Sequence, residues 1–433
     1  MKALGLDIGT TSICAVVYDT KQGILDAVTV KNDTFLPGAP WERIQSPQKI
    51  EAAANALVQQ LLVKYPDSAA LGVTGQMHGI VYLDRGGNPV SPLYTWQDGR
   101  GDLPFDHQRS WAQYLSEISG YPLSTGYGMV THFYNLSNGL VPENAACFCT
   151  IQDYLAMKLS GRTSPAVDAT NAASFGLYDV AQGCFDLGSL ERAGIGTQMI
   201  PEQAKNPCLG VGPLGIPVFS AIGDNQASFL GSANGRKDIV LINMGTGGQV
   251  SVYSPVYLQT ETLETRPFPG GGWLLVGASL CGGRSYAILE GFFRDTVKLM
   301  TGQEPDIYSA MDQILRSQPC PEDIPAAVTT FQGTRKNPAQ RASLHNLSAS
   351  NFTPVHLIYS ILEGMARELH DLYLGYQAQC GCPPKALIGS GNGLRKNPHL
   401  RKMFETVFGV PMSLSVNEEE AACGAAIYAS SCK

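Results

Sequence analysis

No stretch of this 433-residue sequence is apolar over the ~18 consecutive residues that a membrane-spanning helix needs. The amino terminus, MKALGLDIGTTS, reaches Asp7 before any apolar run as long as a secretory signal requires. These two absences predict a cytoplasmic protein that has no membrane partner.

Basic charge is also scarce. The sequence has 30 Lys and Arg residues against 37 Asp and Glu residues, which leaves a formal net charge of −7. Binding along a phosphate backbone needs many cationic contacts, so we expect no nucleic-acid partner. A Walker A string is absent as well, and any nucleotide must therefore be held by another device.

The cysteines lack the spacing of a metal site. Eleven of them, an odd number, are scattered from Cys14 to Cys432 without a CxxC pair. That pattern predicts reduced thiols rather than disulfides or zinc ligands. We assign the cysteines no function.

A repeated hairpin pattern is present in the sequence. The segment 3–18, ALGLDIGTTSICAVVY, is typical of a strand, a Gly-Thr-Thr turn and a second strand. The segment 240–253, VLINMGTGGQVSVY, has the same order with a Gly-Thr pair at its turn. Asp7 of the first copy corresponds to Asn243 of the second. We predict that the chain is internally duplicated.

Length and pattern together predict an α/β protein of two domains. A chain of this length is too long for one compact core and is expected to divide into halves of roughly 200 residues. Amphipathic helical segments alternate with apolar strands in both halves, as α/β architecture requires. The glycine- and proline-rich stretch near Pro217 is the best boundary, so we predict domains at 1–218 and 219–433.

The same stretch contains a formal GxGxxG string, the fingerprint of dinucleotide binding, at Gly210, Gly212 and Gly215. Pro213 interrupts it, and the strand-like IPVF follows it where a helix should begin. We interpret the string as a linker loop. A dehydrogenase stays open as a rival class that dinucleotide binding would test.

Three helices carry clear end signals. Ser46 is a predicted N-cap followed by Pro47 at the first helical position, and apolar residues at helical spacing continue to Leu62. A second helix is predicted to start at Pro354, and a third to stop at Gly409. A last helix, EEEAACGAAIYAS, is rich in small residues, so we expect it to pack closely against a sheet.

Two carboxylates follow apolar strands. Asp7 ends the first strand beside a Gly-Thr turn, whose N–H groups can converge on phosphate oxygens. At that position Asp7 can orient Mg²⁺ or its bound waters. The alternative is that Asp7 caps the turn, which is a common role of Asp. Asp224, in SAIGDNQASFLG, is a candidate general base at a strand end.

Polar and aromatic residues suited to a sugar cluster in two segments. GVTGQMHG carries Gln76, Met77 and His78, and TWQDGR carries Trp96 and Asp98. Hydroxyl groups need planar amides and carboxylates as partners, while an indole face covers the carbon chain. Taken singly, His78 and Trp96 are better explained by packing than by ligand binding.

These segments resemble the ordered motifs of the FGGY carbohydrate kinases over essentially the whole chain. The motifs are DIGTTS at 7–12, GQMHG at 75–79, GDNQAS at 223–228, MGTGG at 244–248 and GSGNG at 389–393. Within the family the sequence is most similar to the sedoheptulokinase branch, through TWQDGR, DATNAAS, VGASLCGG and SGNGLRKNP. GQMHG also resembles xylulokinases, which makes D-xylulose or another ketose or polyol the alternative substrate.

The resemblance implies two actin-like domains of the ribonuclease-H type with a catalytic cleft between them. It implies an ATP-dependent kinase that phosphorylates the terminal hydroxyl of a ketose, with ATP and Mg²⁺ as cofactors, acting as a monomer or homodimer. Asp224 becomes the catalytic base and Asp7 the carboxylate associated with Mg²⁺. The other implied ligands are Gln76, Met77, His78, Asp98 and Asn225 for the sugar, and Thr10, Thr11, Ser12, Gly245, Thr246, Gly283, Gly389, Gly391, Asn392 and Asn397 for ATP.

Two departures from the family pattern bear on the substrate. Thr131 and His132 stand where many members carry a lysine before DYLA, and Asn225 and Gln226 follow the base. Outside the kinase class, a non-catalytic actin-like ATP-binding protein is the rival. Such a protein has no need of Asp224 together with a sugar cluster, and sugar-stimulated ATP turnover separates the two.

Overall fold

The computed structural model of the protein describes residues 1–381 and 383–432. Within these residues the chain forms two compact units. The first contains Met1–Gly235, Arg266–Gly272 and the segment that begins at Asn417, and the second contains Arg236–Thr265 and Trp273–Val416. The chain therefore returns twice to the first unit after leaving it.

The secondary structure up to residue 235 follows the predicted alternation of strands and helices. The strands are β1 (Lys2–Ile8), β2 (Ser12–Asp19), β3 (Gly23–Lys31), β4 (Ile44–Gln45), β5 (Leu71–Gly75), β6 (Val81–Leu83), β7 (Leu93–Tyr94), β8 (Cys147–Cys149), β9 (Ala166–Val167), β10 (Tyr178–Asp179), β11 (Cys184–Phe185), β12 (Glu202–Gln203), β13 (Cys208–Val211), β14 (Pro217–Phe219) and β15 (Ile222–Gly223). The helices are α1 (Pro47–Lys64), α2 (Trp111–Ser119), α3 (Gly128–Ser137), α4 (Ile151–Leu159), α5 (Ala169–Ser174), α6 (Leu187–Arg192) and α7 (Asp224–Ser232).

The rest of the chain continues this alternation. Its strands are β16 (Val240–Met244), β17 (Gly248–Ser254), β18 (Glu264–Pro267), β19 (Trp273–Ser279), β20 (Ala326–Val328), β21 (Ser343–His345), β22 (Leu387–Ser390) and β23 (Met412–Leu414). Its helices are α8 (Gly282–Thr301), α9 (Ile307–Ser317), α10 (Pro354–Cys380), α11 (Asn392–Lys396), α12 (Pro398–Phe408) and α13 (Glu420–Ser431), the last of which lies in the first unit.

The two units contain sheets with the same central pattern. In the first unit β3, β2, β1 and β5 are neighbours in that order, and in the second unit β19, β17, β16 and β22 are. In both sets the first two pairs of neighbouring strands are antiparallel, and the third pair is parallel. Asp7 is the penultimate residue of β1 and Asn243 the penultimate residue of β16. The predicted duplication and the α/β class are confirmed.

Each unit has a hydrophobic core on its sheet. In the first unit, the strands β1, β2 and β5 pack against α1 and α4, because these strands are apolar on both faces. In the second unit, β16 and β17 pack against α10 and α12. This packing fixes the sheets, and with them the tip after β1 in the first unit and the tip after β16 in the second, where candidate residues lie.

The predicted helix ends are confirmed. The Ser46 hydroxyl accepts from Lys49 N and caps α1, and Pro354 begins α10. Gly409 ends α12 in the left-handed conformation, with φ 69°, which favours glycine.

The formal GxGxxG string lies in a β-hairpin. β13 and β14 pair antiparallel around it, and Gly215, with φ 73°, is in their turn. A dinucleotide-binding turn joins a strand to a helix, so the loop interpretation is confirmed and the dehydrogenase reading loses its basis.

The first unit extends past the expected boundary between residues 218 and 219. Thr74 Oγ1 of β5 donates to Ile222 O, and β15 pairs with β5. Helix α7 then crosses α13 so closely that a Cβ on Gly231 would lie 1.8 Å from Glu420 O. These contacts keep Asp224 and the last helix in the first unit.

Candidate active site

Asp7 and Asp224 lie in the first unit at the ends of its parallel strands. Asp7 is half-buried near the end of β1, and Asp224 is the first residue of α7, directly after β15. Burial, with the negative charges of Asp224 and Glu419, raises the pKa of the Asp7 carboxyl to about 7. A cation bound beside these carboxylates would favour the charged form of Asp7 and lower its pKa again.

Three side chains hold the main chain just before Asp224. They are Asn171, which donates to Ala221 O (3.0 Å), Thr74, which donates to Ile222 O (2.8 Å), and Thr170, which accepts from Gly223 N (3.0 Å). Since consecutive residues are tied to buried partners, the start of α7 is fixed in position. The N-terminal end of a helix also stabilises a negatively charged side chain such as Asp224.

A chain of hydrogen bonds reaches Asp224 from Arg266. Asn225 Nδ2 donates to Asp224 Oδ1 (3.0 Å), and Arg266 Nη1 donates to Asn225 Oδ1 (3.0 Å). A guanidinium can only donate, so it requires the amide oxygen of Asn225 on its side and leaves the amide nitrogen for the carboxylate. Asn225, expected from sequence to bind sugar, thus also orients the candidate base.

The segment from Gln76 to His78 lies between β5 and β6. Met77 is buried against the end of β15, because a Cβ on Gly223 would lie 2.9 Å from Met77 Sδ. His78 has a φ of 71°, which is uncommon for a residue with a side chain, and its Nδ1 is 2.7 Å from Ser174 O. A carbonyl only accepts, so Nδ1 carries the proton, and in the neutral ring Nε2 is an acceptor.

Asp98 and Arg100 form a buried ion pair. Arg100 Nε donates to Asp98 Oδ1 (2.6 Å), and the main-chain N of Arg43 donates to Asp98 Oδ2 (3.1 Å). The guanidinium lies 4.0 Å from the ring centroid of Tyr94. Both carboxylate oxygens of Asp98 are therefore engaged within the protein.

The tip between β1 and β2 carries Thr10, Thr11 and Ser12. Asn32 holds this tip, because its Nδ2 donates to Gly9 O (2.8 Å) and its N donates to Thr11 O (2.9 Å). Thr11 is exposed, whereas Thr10 Oγ1 donates to Gln76 Oε1 (3.3 Å). The two threonines therefore have different surroundings.

In the second unit, the tip between β16 and β17 lies against the start of α8. Gly283 N donates to Gly245 O (3.0 Å), and a Cβ on Gly282 would lie 2.3 Å from the carbonyl carbon of Gly247. Thr246 at this tip is exposed. The N-terminus of a long helix beside a Gly-Thr turn is a favourable place for phosphate groups.

The loop at 389–393, predicted to bind the nucleoside, lies against the end of β16. Gly391 has a φ of 83°, and a Cβ on it would lie 2.6 Å from Met244 O, the last residue of β16. Gly389 is in β22, and Asn392 begins α11. The side chain of Asn397 caps α12 by accepting from Leu400 N (2.9 Å).

Thr131 and His132, the first of the two departures noted in the sequence, are buried in α3. Tyr82 hydroxyl and His132 Nδ1 are 2.9 Å apart, and burial lowers the pKa of His132 to about 4. The histidine at this buried position is therefore neutral near pH 7.

Sequence reasoning missed residues that the fold brings to the site. Arg266 is 41 positions from Asn225, and Gln45 is 31 positions from Gln76, so no local motif joins them. Thr170 and Asn171 belong to the motif DATNAAS, which was recognised without a role. Within the described ranges, no helix is long and apolar enough to cross a membrane.

Comparison with known proteins covers nearly the whole chain. Residues 2–231 match the N-terminal domain, and residues 240–431 the C-terminal domain, of the FGGY family of carbohydrate kinases. Sedoheptulokinase from Mus musculus is 29% identical, with 98% of this chain and 96% of that protein covered.

Solved structures show the same fold. Xylulose kinase from Rhodospirillum rubrum has a TM-score of 0.82 at 22% identity, with 100% of this chain and 90% of that chain covered. Plasmodium falciparum glycerol kinase with ADP has a TM-score of 0.80 at 19% identity, covering 100% and 89%. The expected two-domain actin-like α/β fold is confirmed.

Proposed function

The chain belongs to the FGGY family of carbohydrate kinases, and we propose that it phosphorylates the terminal hydroxyl of sedoheptulose to give sedoheptulose 7-phosphate. It is a sugar kinase, and ATP is its phosphoryl donor. The full-length match to sedoheptulokinase supports the ketose. We further propose that the reaction takes place in the cytoplasm.

The observation that carries this function is the clamped position of Asp224. The main chain just before it is held by Thr74, Thr170 and Asn171, and its carboxylate accepts from Asn225. A base that activates a hydroxyl must be held in a defined orientation, because misplacement by about 1 Å can lower the rate by about 10²-fold. The arrangement supports Asp224 as the catalytic base.

In the proposed reaction, Asp224 accepts the proton of the terminal hydroxyl while that oxygen attacks the γ-phosphorus of ATP. A bond forms between the sugar oxygen and phosphorus, the bond to the bridging oxygen breaks, and ADP leaves with that electron pair. The protein contributes position and charge more than covalent chemistry. Met77, His78 and Trp96 are the proposed sugar contacts.

The phosphate groups are proposed to bind at the two Gly-Thr tips. Thr11 and Ser12 contribute from the first unit, and Gly245 and Thr246 from the second. In the second unit the start of α8 adds its N–H groups, which point toward an anion. Gly283, Gly389, Gly391, Asn392 and Asn397 are proposed to line the nucleoside side.

The residues present fit Mg²⁺. Within 1–381 and 383–432, no group of three or more His, Cys, Asp or Glu residues forms a metal cage. Mg²⁺ is usually bound by one or two carboxylates together with water and substrate phosphates, so a cage is not needed. Asp7, whose pKa is raised by burial and then by the negative charges of Asp224 and Glu419, would hold it. Bound there, Mg²⁺ would neutralise charge on the phosphate oxygens.

The test is ADP release from Mg²⁺-ATP across a ketose panel, with sedoheptulose and D-xylulose side by side. We expect strong turnover on sedoheptulose and a loss of at least about 10²- to 10⁴-fold in Asp224→Asn, the range typical of a general base. The isosteric amide keeps the acceptor for Asn225, which makes it a conservative change.

Other outcomes separate the parts of the proposal. Turnover on xylulose instead would keep the mechanism and change the substrate, an alternative that the GQMHG motif favours. Near-normal turnover by Asp224→Asn would overturn the assignment of the base. ATP binding without stimulation by any sugar would contradict kinase activity on ketoses.

A further inference from the structure

A closed ring of hydrogen bonds joins the first Gly-Thr tip to the GQMHG segment. Thr10 Oγ1 donates to Gln76 Oε1 (3.3 Å), Gln76 Nε2 donates to Gln45 Oε1 (2.8 Å), and Gln45 Nε2 donates to Thr10 O (2.9 Å). Gln45 is 0% exposed and Gln76 is 4% exposed. The bond between the two glutamine amides is therefore shielded from competing water, and the two bonds to Thr10 are partly shielded.

The direction of this ring is determined by one carbonyl. Thr10 O can only accept, so the amide nitrogen of Gln45 must face it. The oxygen of Gln45 then requires the nitrogen of Gln76, and the oxygen of Gln76 requires the hydroxyl proton of Thr10. Rotating either amide by 180° would place two acceptors together. Each glutamine amide thus uses one N–H and its oxygen in contacts inside the protein.

Trp96 attaches to the ring from outside. Its Nε1 donates to Thr10 Oγ1 (2.9 Å), while 46% of the residue stays exposed. A hydroxyl has one proton, and Thr10 donates it to Gln76. The indole N–H donates to a lone pair of the same oxygen. Thr10 Oγ1 consequently has no proton left to donate to a phosphate.

We propose that Thr10, Gln45 and Gln76 are positioning residues that tie the ring plane of Trp96 to the phosphate-binding tip. Resting on the proposed function, this makes Trp96 the sugar-facing end of the network and the main chain of the tip its nucleotide-facing end. Sugar stacked on the exposed indole face would hold the indole N–H on Thr10. The ordered ring would in turn hold the tip in place for the phosphates.

This proposal changes two expected roles. Gln76 is expected from sequence to bind sugar, but its amide oxygen and nitrogen are both engaged by protein atoms. Thr10 is expected to bind phosphate through its hydroxyl, which is engaged in the same way. The neighbouring Thr11 is exposed and keeps the direct phosphate role.

The two adjacent threonines provide a matched kinetic test. Thr10→Val removes the hydroxyl from the ring at nearly constant volume, and Thr11→Val makes the same change outside it. We expect Thr10→Val to lower kcat/KM by roughly 10- to 100-fold for both sugar and ATP. Thr11→Val should raise the KM for ATP alone, and Thr10→Ser should restore most activity. A Thr10→Val effect confined to ATP, or no effect, would overturn the proposal.

A double-mutant cycle tests the connection between the ends of the network. Trp96→Phe keeps an aromatic face and removes the indole N–H, and Gln45→Met removes the buried amide at similar size. If both act through the ring, the double variant loses about as much kcat/KM as the worse single variant. If the loss in the double variant equals the product of the two single losses, the coupling is contradicted. Should Gln45→Met fail to fold, Thr10→Val with Trp96→Phe gives an equivalent cycle.

A spectroscopic readout in the ligand-free protein is independent of the proposed reaction. The chain has four tryptophans, and Trp96→Phe identifies the indole N–H resonance of Trp96. Gln45 bonds Thr10 and Gln76 rather than Trp96, yet the proposal expects Gln45→Met to shift that resonance. An unchanged resonance would overturn the ring even if ketose turnover is observed. A shifted resonance without turnover would support the ring and contradict the proposed function.

Discussion

At the scale of single residues, the role proposed for Asp7 opposes the stability of the ligand-free protein. Its pKa is raised to about 7 by burial and by the charges of Asp224 and Glu419. A carboxyl with a raised pKa binds its proton more tightly in the folded state than in the unfolded chain. Its contribution to stability is therefore present below pH 4 and is lost as the pH rises from about 4 to about 7.

We predict that Asp7→Asn raises the Tm of the ligand-free protein at pH 8 and has little effect at pH 4. The gain should be at least about 2 °C, since 1 kcal/mol corresponds to about 2–4 °C for units of this size. Kinase activity should fall in the same variant. Thermal denaturation at both pH values, with a parallel ADP-release assay, measures these effects.

Asp67 provides the control of opposite sign. A hydrogen bond from Lys2 Nζ (3.0 Å) lowers the pKa of Asp67, so this carboxylate is favoured in its charged form. Asp67→Asn should not raise the Tm at pH 8. A lower Tm for Asp7→Asn at pH 8 would mean that Asp7 has a stabilising partner and would contradict the argument.

Arg266 gives a second prediction at this scale. Without its guanidinium, the amide oxygen of Asn225 loses the donor that fixes its orientation, and the amide nitrogen becomes a less well-oriented donor to Asp224. We expect Arg266→Gln to lower kcat by roughly 10- to 100-fold with a smaller change in the KM for ATP. Steady-state kinetics with both substrates separates the two parameters.

Arg236→Gln is the matched control, because Arg236 is exposed and pairs with Asp238. It should keep the kinetics of the parent protein. Arg266→Lys keeps a charge and should recover part of the loss. A pure KM effect in Arg266→Gln would make Arg266 a substrate contact rather than a positioning residue.

At the scale of elements, the crossing of α7 and α13 depends on glycine. A Cβ on Gly424 would lie 1.8 Å from Ala227 O, and one on Gly231 would lie 1.8 Å from Glu420 O. Main-chain atoms cannot move aside as a flexible side chain can. The small residues of α13 therefore let α7, with Asp224 at its start, lie directly on the last helix.

We predict that Gly424→Ala lowers the free energy of unfolding by about 1–3 kcal/mol, the range typical of overpacking. Gly291→Ala in α8 is the matched control, since its Cβ would meet only Arg294 Nη2, at 3.4 Å. There, better helix propensity should stabilise by up to about 1 kcal/mol. Urea denaturation of both variants gives the comparison, and equal effects would contradict the close-crossing argument.

Local signals predicted several element ends well. The caps at Ser46 and Gly409 act through neighbours three or four positions away, so the sequence contains all the partners. The extent of the first unit depends instead on contacts between Thr74 and Ile222 and between α7 and α13. Such contacts join residues more than 140 positions apart, and no local pattern reports them.

At the scale of the whole molecule, the duplication gives two tips of different charge. Asp7 is a carboxylate, whereas Asn243 is a neutral amide whose Nδ2 donates to Ser390 Oγ (2.8 Å). Two carboxylates would repel the phosphates of one nucleotide more strongly than one does. The proposed phosphate site therefore favours an amide in the second unit.

We predict that Asn243→Asp folds normally, because its carboxylate can accept from the Ser390 hydroxyl. Its KM for ATP should rise by about tenfold or more, the effect of about 1.4 kcal/mol of repulsion. The KM for sugar should stay unchanged. Asn144→Asp adds the same charge at an exposed position of the first unit and should affect neither. An unchanged KM for ATP in Asn243→Asp would place Asn243 away from the phosphates.

The sequence alone determined the class of the molecule. The repeated strand, Gly-Thr turn and strand, the caps and the carboxylates after strands are local features, and they were sufficient to predict the α/β class, the duplication and the family. Candidate residues in continuous motifs, such as GQMHG, could be selected for the same reason.

Only the tertiary structure decided which protein partners the candidate side chains have. It used the amide of Gln76 in a ring with Gln45, paired Asp98 with Arg100, and brought Arg266 to Asn225. The physical reason is that a polar side chain in a buried place must find partners, and those partners come from distant strands and loops. Residue type predicts what a group can bind, whereas packing decides what it does bind.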